Sequence, residues 1–180
     1  MEDRTIANRL RGAAAAVLAS LILLSGCATQ LAPSYSQGIV DGLNAANVQT
    51  MTMFATVSAG VTADTFAAQR QTQYNAIIGQ FSALESQVAA RPMPQPPLGA
   101  SRVAPADWLK VLEAAPTKGS LDTIVSVLTK MRDEDQKNGF HAVITGCGSA
   151  ALDPSLVCGF QNAYTQNFDS ALTYEMALQR

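Results

Sequence analysis

Three cysteines, one histidine and a few scattered carboxylates are the residues of this 180-residue chain best equipped for chemistry. His141 is the sole imidazole, so a Ser-His-Asp triad would have to be built on it. It directly follows Asn138-Gly139, in a stretch where its ring could equally well cap a carbonyl. No G-x-S-x-G, S-x-x-K or phosphate-binding glycine loop is present. Cys147 and Cys158 enclose ten residues, whereas zinc sites use C-x₂₋₄-C pairs with further ligands, and redox dithiols use C-x-x-C. A metal held by these two cysteines and His141 would lack its fourth ligand. Asp133-Glu134-Asp135 followed by Asn138-Gly139 suggests a calcium loop, but both registers fail. Counting from Asp133 puts Lys137 at position 5 and Asn138 at position 6; counting from Glu134 puts Gly139 at 6 but Thr145 at 12. The acids then read as the wet face of a helix. Glu85, Glu113, Glu134 and Glu175 show no local pairing that marks a glycosidase. Acids distant in sequence can still meet in a cleft, so a cell-wall hydrolase stays open as the more distant alternative.

Composition narrows the classes. Twelve basic and fourteen acidic residues leave a net charge of −2, which excludes a binder whose affinity comes from neutralising nucleic-acid phosphates. Apolar residues are 48 % and charged residues 14 %, so the chain can fill a core and is not a charge-driven disordered segment. Nothing calls for a cofactor.

The first residues form an address. Arg4, Arg9 and Arg11 flank an uncharged run, Gly12–Leu24, of 13 residues. As a helix it would reach about 20 Å, short of a hydrocarbon core of about 30 Å. That fits the apolar region of a secretory signal better than a permanent span. The run ends in Leu24-Ser25-Gly26-Cys27. This leader resembles those of bacterial lipoproteins over residues 1–28. The resemblance implies cleavage before Cys27, a diacylglycerol on its sulfur and an acylated new amine, hence membrane attachment through lipid at Cys27. Ala28 stands where, in the Gram-negative members, Asp commonly retains the protein in the inner membrane, so the expected site is the outer membrane, facing the periplasm. Residues 27–35 then read as a lipidated tether and 36–180 as one domain. Removing the leader leaves nine basic and twelve acidic side chains, too weakly acidic a body to grip anionic headgroups. With Cys27 taken by lipid and the chain exported to an oxidising space, Cys147 and Cys158 remain as an even pair, expected to be disulfide-bonded.

The elements that must position these residues are helical. Ile39, Val40, Leu43, Met51, Phe54 and Val57 recur near helical spacing from Ser36, an N-cap candidate, with Asn47 interrupting. Val57–Gly60 can stop this helix and Thr62–Asp64 can start the next, giving helices over about 36–58 and 62–90; one long helix is the alternative, since no proline intervenes. Phe66, Arg70, Tyr74, Ile77, Phe81, Leu84 and Val88 make a single stripe. Arg91–Pro105 carries five prolines and reads as a stiff connector or a docking segment. Asp107–Glu113 is expected as a short helix whose Trp108 packs over the bundle. Ser120 is expected to cap a helix bearing Leu121, Ile124, Leu128 and Met131, with Asp122, Lys130 and Asp133 to Asp135 in water and Asn138-Gly139 as its stop. His141–Thr145 has the pattern of a lone strand with no partner. Asp153-Pro154 is expected to open a last helix whose stripe is Val157, Phe160, Tyr164, Phe168, Ala171 and Leu172.

The resulting expectation is an all-α, antiparallel bundle of about four main helices plus one short helix, closed by one disulfide. Its expected role is a membrane-anchored, non-enzymatic interaction or scaffold module with an envelope protein partner and no nucleic acid. The alternative is a binder of an apolar ligand between helices, suggested by Met51, Met53, Phe54 and Phe81.

Overall fold

Five helices make up the regular structure among the described residues. The computed structural model describes residues 32–92, 116–143, 147 and 156–179, all within one compact unit. Cys27 and the leader, the prolines from Pro94 to Pro105, the expected Trp108 helix and Asp153-Pro154 lie outside the described residues.

Helix α1 runs Gln37–Ser58 from Ser36, which occupies the N-cap position without a side-chain cap bond. Its threonines do not break it, because Thr50, Thr52 and Thr56 each donate their hydroxyl to the carbonyl four residues back, at 2.8, 2.8 and 3.0 Å. It stops at Gly60, whose φ of +89° is a left-handed conformation that side chains resist. The stop at Gly60 excludes the single-long-helix alternative, while the helix expected over about 62–90 is itself divided at Arg70. A 3₁₀ turn, Ala63–Thr65, leads into α2, Phe66–Gln69, and α3, Gln71–Ala89. Between them Arg70, at φ −125°, bends the path. This α2 is the short helix among the described residues.

Helix α4 spans Pro116–Asn138. It therefore begins four residues before the expected Ser120 cap, and Ser120 is buried in its second turn. Proline at the first helical position loses no bond and brings its φ already set, a stronger start signal than an interior serine. The helix ends as expected at Gly139, with φ +68° and its N–H donating to the Asp135 carbonyl at 3.0 Å. The stretch after it has a partner, contrary to the lone-strand expectation. Val61 and Phe140 exchange N–H···O bonds of 2.8 Å as an isolated antiparallel bridge, and Val143 N–H donates to the Ser58 carbonyl at 2.9 Å. Helix α5 covers Leu156–Ala177.

Up-down-up-down order follows from the cross-helix pairs. Gln49 meets Gln80, Asn47 meets Tyr164, Glu85 meets Lys118, and Thr117 meets Glu175. Each long helix packs on two others in a ring, α1 with α3 and α5, α4 with α3 and α5, so α1 and α4 stand diagonally. The stripes close into one core. Every member of the Phe66–Val88 stripe is buried, Arg70 included. Tyr164 sits at the aromatic centre, stacked on Phe168, tilted against Phe54 and edge-on to Phe81, with centroid distances of 5.6–6.0 Å. Its hydroxyl donates to Asn47 Oδ1 at 2.9 Å. Asn47 thus interrupts the apolar pattern because a buried phenol needs an acceptor.

Candidate functional site

The disulfide joins Cys147 to Cys158, with Cα atoms 4.9 Å apart. Cys158 is anchored in the first turn of α5 by its place beside Val157 in the buried face. Because Val143 is tied to Ser58, the bridge draws the segment after α4 against the ends of both α1 and α5. Cys147 also borders a shallow groove of about 260 Å³ between α1 and α5, lined by Met51, Phe54, Ala55, Ser58 and Gln161. A second groove of about 240 Å³, lined by Gly42, Ala45, Gln80, Ala83 and Gln87, lies on the other side of α1, against α3.

The four residues that suggested an apolar-ligand site do not converge. Met53 and Phe81 are sealed in the core, Phe54 reaches the α1–α5 groove from below, and Met51 stands 39 % exposed at its rim. That groove falls below the roughly 300 Å³ at which small-molecule sites begin. His141 is exposed on the segment after Gly139. Among the described residues, no three of His, Cys, Asp or Glu gather as metal ligands.

The carboxylates divide among separate tasks. Glu85 and Asp122 share the Lys118 ammonium, at 3.1 and 2.9 Å. Hydrogen bonding to Asp122, then to Glu85, raises the Lys118 pKa, and hydrogen bonding to Lys118 holds Asp122 below its ordinary value. A general acid needs the opposite shift, so Asp122 stands ionised where protonation would be wanted. Glu134 accepts from Asn138 at 2.6 Å on the surface. Glu113 lies outside the described residues.

Asp135 overturns the expectation of a wet face. It is fully buried, and Arg70 grips it with Nε to Oδ2 at 2.7 Å and Nη2 to Oδ1 at 2.8 Å. The same guanidinium donates to Thr65 Oγ1 and to the Thr62 carbonyl, both at 2.9 Å. This arrangement crosses from the α1–α2 connection to the last turn of α4, where the Val61–Phe140 bridge also lies. Tyr74 brings a buried hydroxyl toward Asp135 without reaching hydrogen-bond geometry. Burial first, and the Asp135 charge second, push that phenol far above its ordinary pKa.

A second polar knot closes the opposite end. Glu175, fully buried, accepts from Arg91 Nη2 at 2.5 Å and from Thr117 Oγ1 at 2.7 Å. Arg91 and Thr117 flank the proline-rich stretch, so one carboxylate of α5 holds the end of α3 to the start of α4. Both knots escaped the sequence reading, although their register was available. Asp135 continues Leu121, Ile124, Leu128 and Met131, and Glu175 continues Tyr164, Phe168 and Ala171, at steps of three and four.

Comparison of the chain with family models, curated proteins and solved structures found no match. What the chain does must be argued from its own residues.

Proposed function

We propose that the chain is a lipid-anchored protein of the bacterial cell envelope, whose helical body acts as a non-enzymatic interaction or scaffold module held at the outer membrane and facing the periplasm. The observation that carries this reading is the order of the leader: Arg4, Arg9 and Arg11, then Gly12–Leu24, then Leu24-Ser25-Gly26-Cys27. Each buried methylene of an attached acyl chain contributes about 0.8 kcal/mol, and two or three chains hold a protein firmly. Among the described residues no helix is long and apolar enough to cross a membrane.

The body supports a binding role more than a chemical one. Its two most buried carboxylates, Asp135 and Glu175, are committed to Arg70 and Arg91. Asp122 is held ionised beside Lys118.

Replacing Cys27 by Ser tests the reading. The expected result is release of the protein from the membrane fraction into the soluble periplasmic fraction, with loss of acyl labelling. Unchanged membrane pelleting would overturn it.

A further inference from the structure

Asn138 is the last residue of α4, and it is exposed. Of the seven asparagines in the chain, it alone is followed by glycine. The other described asparagines stand inside α1, α3 and α5. An Asn-Gly step carries a reaction of its own, because the glycine nitrogen has no neighbouring Cβ to block its approach. That nitrogen attacks the asparagine side-chain carbonyl carbon and closes a five-membered imide. Nδ2 leaves with the amide proton as ammonia. Water then opens one of the two imide carbonyls, giving aspartate or isoaspartate. No oxidant, reductant or second protein is needed.

Both reacting groups are engaged in the folded chain. Gly139 N–H donates to the Asp135 carbonyl at 3.0 Å, and Asn138 Nδ2 donates to Glu134 Oε1 at 2.6 Å. The first bond points the attacking nitrogen back along the helix, away from the Asn138 side chain. The turn has no slack in which to turn it round. A Cβ on Gly139 would strike the Val61 carbonyl oxygen, with Ala63 N and Thr62 Cα each 3.0 Å away. Val61 and Phe140 are bridged, and the Arg70 that grips Asp135 also holds the Thr62 carbonyl. The attack therefore requires Gly139 to leave Asp135 and to draw away from the Val61–Ala63 connection.

We propose that Asn138 is a latent deamidation site, which local opening of this junction exposes and whose product keeps the junction open. Local openings of this kind occur without global unfolding. Aspartate at 138 loses the amide that binds Glu134 and faces that carboxylate four positions away, a destabilising like-charge pair. It also adds negative charge at the negative end of α4, where Lys137 is the one basic residue of the last turn. Isoaspartate routes the main chain through its own side-chain carbonyl and adds a methylene before Gly139, which takes Phe140 out of register with Val61. Conversion is then a one-way record of opening at the end of α4. The ring of four long helices, which pack through their own stripes, is left standing.

The test uses the full-length chain purified in detergent and aged in mildly alkaline buffer, with and without urea, each asparagine being followed by peptide mass mapping. In urea, Asn138 is expected to convert before any other asparagine. In the folded protein its conversion is expected to be slower by at least about tenfold, the protection a closed junction gives. Phe140→Ala removes the buried ring that packs edge-on to Phe160 but keeps the Asn-Gly step. It should raise the folded rate at Asn138 with the helical signal intact. Asn138→Asp should lose hydrogen-exchange protection at the Val61 and Phe140 amides and keep its helical signal, while Asn138→Gln should retain both. Equal rates at Asn138 in the folded and unfolded chain would overturn the proposal, as would another asparagine reacting first in urea. So would a folded Phe140→Ala that reacts no faster, or Asn138→Asp with Val61 and Phe140 still protected or with its helices lost.

Discussion

Arg70 and Asp135, 65 positions apart in sequence, meet as a two-pronged ion pair at 2.7 and 2.8 Å with both side chains shut away from water. Breaking such a pair leaves a bare charge in the core, whereas replacing both partners with apolar groups removes the desolvation cost together with the attraction. Asp135→Asn is therefore expected to destabilise the bundle by about 3–5 kcal/mol. Arg70→Met with Asp135→Leu should recover most of that loss. Urea unfolding midpoints of the single and double variants check this; equal losses in both would contradict it.

Gly139 should not tolerate a side chain. Its φ is +68°, and a Cβ there would run into the Val61 carbonyl oxygen, which takes the bridging bond from Phe140. Gly139→Ala is expected to cost more than the ~1 kcal/mol of a simple left-handed substitution, because the bridge must open as well. Thermal denaturation would register it. By contrast Gly79→Ala, in the middle of α3 with nothing near its Cβ position, should be neutral or stabilise by up to about 1 kcal/mol.

Alkaline pH should unfold the protein through its buried phenols. Burial is the main cause that raises the pKa of Tyr74 and of Tyr164. Both stay neutral in the folded state, while in the unfolded chain they lose their protons near pH 10. Above that pH the unfolded state holds fewer protons than the folded one, so stability is fully present below about pH 10 and falls as pH rises past it. Phenolate absorbance should therefore show Tyr74 and Tyr164 ionising together with the loss of helix. Ionisation of all four tyrosines with the helical signal intact would contradict this.

The Cys147–Cys158 bond closes a short loop and should contribute about 2–3 kcal/mol. Intact mass of the protein should rise by two hydrogens on reduction, and replacing both cysteines by Ser should lower the unfolding midpoint accordingly. Two free thiols in the native protein would contradict the assignment.

Much of the fold was legible because each stripe is local. The spacing from Phe66 to Val88 names the buried face of the second helical segment residue by residue, and Gly60 and Gly139 mark real stops. What periodicity could not reveal was pairing at a distance. Arg70 read as one more position of a stripe, and Asp135 as one acid in a wet run, because the contact that makes sense of each lies on another helix. Glu175 was passed over for the same reason, and its partners Arg91 and Thr117 stand on either side of the proline-rich stretch. Asn47 looked like a defect until Tyr164 supplied its donor. Ser120 misled because a good capping residue competed with Pro116, four positions earlier. As for the site, the disulfide was legible from two cysteines left over once Cys27 is assigned to lipid.

The anchor is tested most directly by the mass of the amino-terminal peptide of the protein purified from its native membrane. The expected peptide begins at Cys27 and carries a diacylglycerol on its sulfur and an acyl chain on its amine. A peptide that begins at Met1 and bears no fatty acid would contradict the account.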